Sequence, residues 1–179
     1  EPIIRMCGRW FMLKSPKRKR GGHMKLGDVI SFRRDLLFQG AVQLGWLERK
    51  KSLANKAAAH FIFHGPNYHG ARGDDFTGSN VRLVDTASFT KEITDRLVGT
   101  NTGEPFTIGI AGYGTGKSHL GLTLSTLFSN PSAKIAKKIL NNLSLADPEI
   151  GKYVANSIDT LHGKPFLVIA LNGMEDFDL

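Results

Sequence analysis

With 179 residues, 41% of them hydrophobic and 22% charged, the chain has the balance of one globular core plus a small appendage, which excludes a wholly disordered protein. No apolar run approaches the roughly 20 residues that cross a bilayer, Arg5 and Arg9 interrupt any signal-like stretch, and the lone Cys7 has no internal disulfide partner, so a cytoplasmic protein with no membrane partner is expected. The net charge of +8 is lopsided: Arg5, Arg9, Lys14, Lys17, Arg18, Lys19, Arg20 and Lys25 face Glu1 alone within residues 1–25, leaving a net +1 for the rest.

Taken in chain order, the run from Lys14 to Gly22 combines repelling charges, Pro16 and the Gly21-Gly22 pair, and predicts a flexible linker. Its Pro-Lys-Arg-Lys-Arg core resembles a nuclear import signal, although a solvated basic tail is the simpler reading. Met24 is a plausible true start, so residues 1–24 are expected to be a basic flexible tail. Such a tail could contact nucleic acid or another acidic surface. Residues 25–80 predict a helical segment and a loop. Apolar residues are dense from Val29 to Leu47, with Leu36, Gly40, Leu44 and Leu47 on one helical face, and a second helix is expected over Leu53 to Ile62. Gly65 to Gly78 is a loop by composition. Val81 to Val84 suggests a short strand. Phe89, Ile93 and Leu97 then mark an amphipathic helix capped by Thr86 or Ser88 and ended by Gly99 to Pro105.

Phe106 to Ile110 has the pattern of a buried strand, and Ala111 to Gly116 that of a glycine-rich turn. Leu120, Leu124, Leu127 and Phe128 repeat at helical spacing until Asn130-Pro131. Ile135, Ile139 and Leu143 predict another helix. Asp147 and Pro148 make an N-cap and first turn for a third, with Ile150, Val154 and Ile158 inward. Phe166 to Leu171 returns to a continuous apolar strand. No internal repeat is present.

The octamer Ala111-Gly-Tyr-Gly-Thr-Gly-Lys-Ser118 fits a phosphate-binding P-loop, with Ala in the place of the first Gly. Gly112, Gly114 and Gly116 allow positive φ and close approach of an anion. Successive N–H groups would cradle the β-phosphate at the positive end of the helix beginning near Gly116. Lys117 would reach the β and γ oxygens, and Ser118 would offer its hydroxyl to Mg²⁺, which favours hard oxygen ligands. The expected nucleotide-binding residues are Ala111, Gly112, Tyr113, Gly114, Thr115, Gly116, Lys117, Ser118 and His119, with Ser118 as the metal ligand and ATP and Mg²⁺ as cofactors. Tyr113 could pack on the nucleotide or shield the loop. A guanine-reading Asn-Lys-x-Asp is absent, since Asn55-Lys56 leads into Ala57-Ala58.

Other constellations read more blandly. His60 and His64 stand at i, i+4 near His69, but no Glu follows His60, so ordinary loop or half-buried histidines are expected. Lys134, Lys137 and Lys138 read as a solvated helix face, and Asp74-Asp75 as loop solvation. Glu175 and Asp176 lie past Asn172-Gly173 and read as loop carboxylates. No acidic residue directly ends an apolar strand after the P-loop, and no Arg follows Ser118, so binding with little hydrolysis is expected and no catalytic residue is assigned.

The run from Gly112 to Leu120, Gly-Tyr-Gly-Thr-Gly-Lys-Ser-His-Leu, resembles the P-loop of large bacterial AAA-like ATPases. Among these it is most similar to the multidomain ATPases of anti-phage defence systems of the BREX and DNA-phosphorothioation type. Helicase-loader ATPases share Gly-Thr-Gly-Lys-Ser-His-Leu. The resemblance extends over about Val81 to Asn172, and its specific part is the P-loop. It implies an α/β P-loop NTPase domain over residues 81–179, C-terminally incomplete, preceded by the helical segment and basic tail. It further implies a longer parent that couples ATP binding and hydrolysis to work on DNA or a protein partner. The second acidic motif, sensor and arginine finger of that family have no counterpart. Two rivals use the same residues differently: a small-molecule kinase, or a nucleic-acid-binding module acting through residues 14–25 with nucleotide as regulator.

Overall fold

The computed structural model of the chain describes the backbone of three strands near the start, and residues 41–68, 84–100, 107–112 and 114–171 in full. The chain divides into two compact units, Glu1–Ala41 and Val42–Leu179. In the first, β1 (Ile3–Met6), β2 (Arg9–Leu13) and β3 (Ile30–Phe32) form an antiparallel sheet in the order β1-β2-β3. Ile3 pairs with Met12 and Met6 with Arg9, while Phe11 pairs with Phe32. Two expectations change here. Ile3–Met6 and Arg9–Leu13, expected within the flexible tail, are strands: the repelling charges are concentrated in Lys14–Arg20, whereas the preceding run carries β-branched and aromatic residues that favour extended backbone. Nor does a helix begin at Val29, since Ile30–Phe32 pairs with β2 instead. The basic linker from Lys14 to Gly22 lies outside the described residues.

In the second unit, the described residues form six helices: α1 (Trp46–Arg49), α2 (Lys51–Ala58), α3 (Thr86–Leu97), α4 (Lys117–Ser129), α5 (Lys134–Ala146) and α6 (Pro148–Thr160). None is long and apolar enough to cross a membrane. The helix expected over Val29 to Leu47 is confined, among the described residues, to the single turn of α1, and α2 starts before Leu53 and stops at Ala58. Packing runs α2 on α4, α4 on α5, α5 on α6 and α6 on α3. The core is apolar and fine-grained: Leu122, Leu127, Ile139, Leu143 and Val154 are fully buried, and Ala57, Ala58, Ala87 and Ala136 let helices approach closely.

The expected α/β P-loop NTPase domain is not what the described residues build. Among the described residues of this unit, regular structure is entirely helical, and neither 107–110 nor 165–171 lies in a strand. Ile108 and Ile110 are 72% and 86% exposed, although the apolar run had predicted a buried strand. Val84, the described end of the other expected strand, is likewise unpaired with any strand. A short apolar run does not by itself specify a strand: it also needs neighbours for its ladder and cover on both faces. Around 166–171 only one side is covered. Phe166 sits edge-to-face on Phe128 at 6.1 Å and its N–H donates to the Phe128 carbonyl at 2.9 Å, while Leu167, Ile169 and Leu171 point outward.

Helix ends follow local chemistry closely. The Asp147 carboxylate accepts from the Ile150 N–H at 2.9 Å with Pro148 in the first turn, as the sequence predicted. Asn130 ends α4 as expected. The cap of α3 differs: Asp85, not Thr86 or Ser88, accepts from the Ser88 N–H at 2.8 Å. Thr86 is committed elsewhere, its hydroxyl oxygen accepting from the His64 N–H at 2.7 Å. The buried face of α3 is Ala87, Thr90 and Thr94, not Phe89, Ile93 and Leu97. Each buried threonine hydroxyl donates to the carbonyl four residues back, at 2.7 and 2.8 Å, which removes most of the penalty for burying it.

A polar cluster ties α3 to α6. Lys91 Nζ donates to Asp95 Oδ2 at 2.8 Å, the Tyr153 hydroxyl donates to Asp95 Oδ1 at 2.6 Å, and Lys91 lies 4.6 Å from the Tyr153 ring centroid. Burial favours the neutral form of the Asp95 carboxyl, but the hydrogen bonds from Lys91 and Tyr153 outweigh it and hold the group below the usual carboxylate range. A depressed carboxylate stabilises the fold above its unfolded pKa of about 3.9, and that stabilisation is lost as pH falls through the folded value. Thermal stability is therefore expected to fall below about pH 4, and Asp95→Asn should remove this part of the acid dependence. An unchanged acid profile in melting curves of Asp95→Asn would refute the assignment. Lys91 moves the opposite way, raised chiefly by its hydrogen bond to Asp95, so its contribution is kept until strongly alkaline pH. At 41% exposure its ion pair is largely screened and contributes little by itself.

Candidate functional site

The glycine-rich segment leads directly into α4, the helix that packs between α2 and α5. Gly116 is the N-cap with φ of 92°, and Gly114 has φ of 76°. Both lie in the left-handed region, where a Cβ is strained, so the two glycines are required by the turn itself. No side chain caps this helix, and its hydrogen-bond ladder begins with the Leu120 N–H on the Gly116 carbonyl at 2.9 Å. The amides of Lys117 and Ser118 thus precede the ladder, at the positive end of a 13-residue helix.

Lys117 folds back over the segment. Its ammonium donates to the carbonyls of Ala111 at 2.6 Å and Gly112 at 2.7 Å, and the Thr115 hydroxyl donates to Gly112 at 2.8 Å. Ala111, Gly112, Gly114, Thr115, Lys117 and Ser118 are exposed. Six of the expected site residues therefore share one solvent-facing loop and first turn, with the cation held over it. Tyr113 lies outside the described residues. For Mg²⁺ the donor set fits in part: Ser118 offers one hard oxygen, and an octahedral ion would take the others from phosphate and water. Among the described residues no cluster of His, Cys, Asp or Glu is placed to hold a metal.

His119 was expected to join this site and does not face it in the same way. Its Nε2 lies 2.7 Å from the Ala57 carbonyl, and its ring meets Phe61 edge-on at 5.0 Å. Because a carbonyl only accepts, Nε2 carries the proton. His60 and His64 are engaged by local contacts. His60 Nδ1 lies 2.8 Å from the Lys56 carbonyl, and His64 stacks on Tyr68 at 3.9 Å. His69, Asp74, Asp75, Glu175 and Asp176 lie outside the described residues. Lys134, Lys137 and Lys138 are exposed on α5.

Sequence reasoning missed the role of residues 57–64. These residues, the end of α2 and the short segment after it, receive hydrogen bonds from three helices. His119 of α4 reaches Ala57; Asn142 of α5 donates to the Ala59 and Phe61 carbonyls at 3.0 and 3.1 Å; and the Ala87 N–H of α3 donates to His64 at 3.0 Å. The partners are far apart in sequence and the acceptors are backbone carbonyls, so no residue pattern announces the junction.

Comparison with protein-family models, with curated proteins and with solved structures finds no match to the chain.

Proposed function

We propose that residues 111–118 bind the polyphosphate of ATP with Mg²⁺, Lys117 contacting the phosphate oxygens and Ser118 the metal. The observation that carries the reading is the placement of Lys117: first residue of an uncapped helix, behind two positive-φ glycines, its ammonium over the loop carbonyls. Those carbonyls are neutral acceptors, whereas a phosphate oxygen is anionic and adds ion-pair attraction to a bond whose donor is already charged, so exchange of partners is favourable. Adenine is favoured because the guanine-reading tetrapeptide is absent. Following the resemblance of Gly112–Leu120, nucleotide binding would serve work on DNA or a protein partner in the cytoplasm.

A displacement panel tests it. A fluorescent ATP analogue bound in Mg²⁺ should be displaced by ATP and ADP, weakly by AMP and not by adenosine, because recognition rests on phosphates. Displacement by adenosine as strong as by ATP would move the site away from the loop.

A further inference from the structure

We propose that His119 is a positioning residue: it locks α4 to the end of α2 on the side away from Lys117, so that the phosphate-binding loop and segment 57–64 move together. The proposal rests on the nucleotide-binding reading above for its functional consequence, and on geometry for its structural part.

The angular arrangement comes from helix geometry. At 3.6 residues per turn, successive side chains are about 100° apart, so Lys117 and His119 project from roughly opposite sides of the first turn. Lys117 is directed at Ala111 and Gly112, and His119 at Ala57. A rotation or slide of the first turn that carried Lys117 toward a ligand would pull on the hydrogen bond from His119. The other end of that bond is well anchored. The Ala57 carbonyl also accepts from the His60 N–H at 3.1 Å, Asn142 holds the carbonyls of Ala59 and Phe61, and Phe61 packs edge-on against both Phe63 at 4.8 Å and the His119 ring. Ala57 and Ala58 are fully buried, so α2 has little freedom to follow by itself. His119 also lies one turn before Thr123, whose buried hydroxyl donates to the His119 carbonyl at 2.7 Å, which fixes its backbone as well as its ring.

The chemistry therefore divides between neighbours. Lys117 and Ser118 meet the anion, and His119 determines where the helix that carries them stands. Nucleotide binding should be felt at residues 57–63, and a change at 57–63 should be felt in nucleotide affinity, because coupling between two sites is reciprocal.

The test compares the full chain with His119→Phe, which keeps a ring against Phe61 but loses the donor, and His119→Gln, which keeps a donor but loses the ring. ATP·Mg²⁺ affinity is measured by calorimetry, and hydrogen exchange by mass spectrometry over 57–63 and 116–124. His119→Phe is expected to weaken ATP about 2- to 10-fold, the range of one net hydrogen bond, and to abolish the protection that ATP confers on 57–63. His119→Gln should retain most of both. Wild-type affinity and protection in His119→Phe would overturn the proposal, as would a glutamine variant as impaired as the phenylalanine one. If the wild-type chain takes up no ATP, the nucleotide reading fails separately, and exchange in the ligand-free proteins decides the positioning role. Faster exchange over 116–124 in His119→Phe than in His119→Gln supports it, and equal exchange overturns it. Circular dichroism identifies a variant that does not fold. In that event His119→Asn against His119→Leu repeats the donor comparison and is judged by the same outcomes.

Discussion

Lys117→Ala should weaken binding of ATP and ADP by about 1.5–3 kcal/mol, roughly ten- to hundredfold, while leaving the melting temperature of the nucleotide-free protein unchanged. The two halves of this expectation come from the same geometry. In the protein alone, the ammonium is exposed and bonds two exposed carbonyls, Ala111 and Gly112. Water replaces such bonds at little net cost, so the fold loses almost nothing. With nucleotide present, the same ammonium faces a multiply charged phosphate, for which no neighbouring described cation is placed as a substitute on the loop. Lys117→Arg should not rescue fully, because a planar fork does not reproduce a compact point charge at the end of this turn. Parallel calorimetry and thermal melts check both halves. Equal ATP affinity in wild type and Lys117→Ala would remove Lys117 from the site.

Gly151→Ala should destabilise the protein, although alanine is the better helix former. Gly151 lies inside α6, where exchange for alanine would gain about 1 kcal/mol from propensity alone. Packing decides against it. A Cβ at this position would collide with the Ser144 Oγ and would stand 2.6 Å from the Ser144 Cα, an atom of the α5 backbone that cannot rotate away. Helices α5 and α6 would have to separate, loosening Leu143 and Val154, both fully buried. Overpacking of this kind typically costs about 1–3 kcal/mol and more when backbone must shift, so a net loss of about 2 kcal/mol is expected. For a chain of this size that lowers the melting temperature by about 4–8 °C. Adding Ser144→Gly should recover only part, because the Cα clash survives it. A melting temperature equal to or above wild type would show that α5 and α6 do not pack as closely as described.

The legible parts of this chain were those governed by neighbours in sequence. Asp147-Pro148 predicted an N-cap and first turn that the Asp147–Ile150 bond realises, Asn130-Pro131 marked the end of α4, and Gly116-Lys117 marked its start. What failed depended on partners distant in sequence. Phe106 to Ile110 and Phe166 to Leu171 have the composition of buried strands, yet strand formation is a property of the pair and not of the run, and no described strand lies beside them. The face of α3 was misread because hydrophobicity pointed to Phe89, Ile93 and Leu97, whereas Thr90 and Thr94 satisfy their hydroxyls internally and pack as small residues. The backbone of the glycine-rich turn was legible only in part: Gly114 and Gly116 take the positive φ expected of them, whereas Gly112 does not. His119 was assigned to this loop by adjacency, and its true contact with Ala57, 62 positions earlier, left no trace in the pattern.

Backbone amide shifts of the isotope-labelled full chain, followed by NMR as ATP·Mg²⁺ is added, test most directly whether this loop is the phosphate site. The amides of Gly112, Gly114, Thr115, Gly116, Lys117 and Ser118 should show the largest, saturable changes, with smaller changes at 57–63 and none of either kind when adenosine replaces ATP. Saturable shifts centred elsewhere, or none in 112–118 at millimolar ATP, would contradict the assignment.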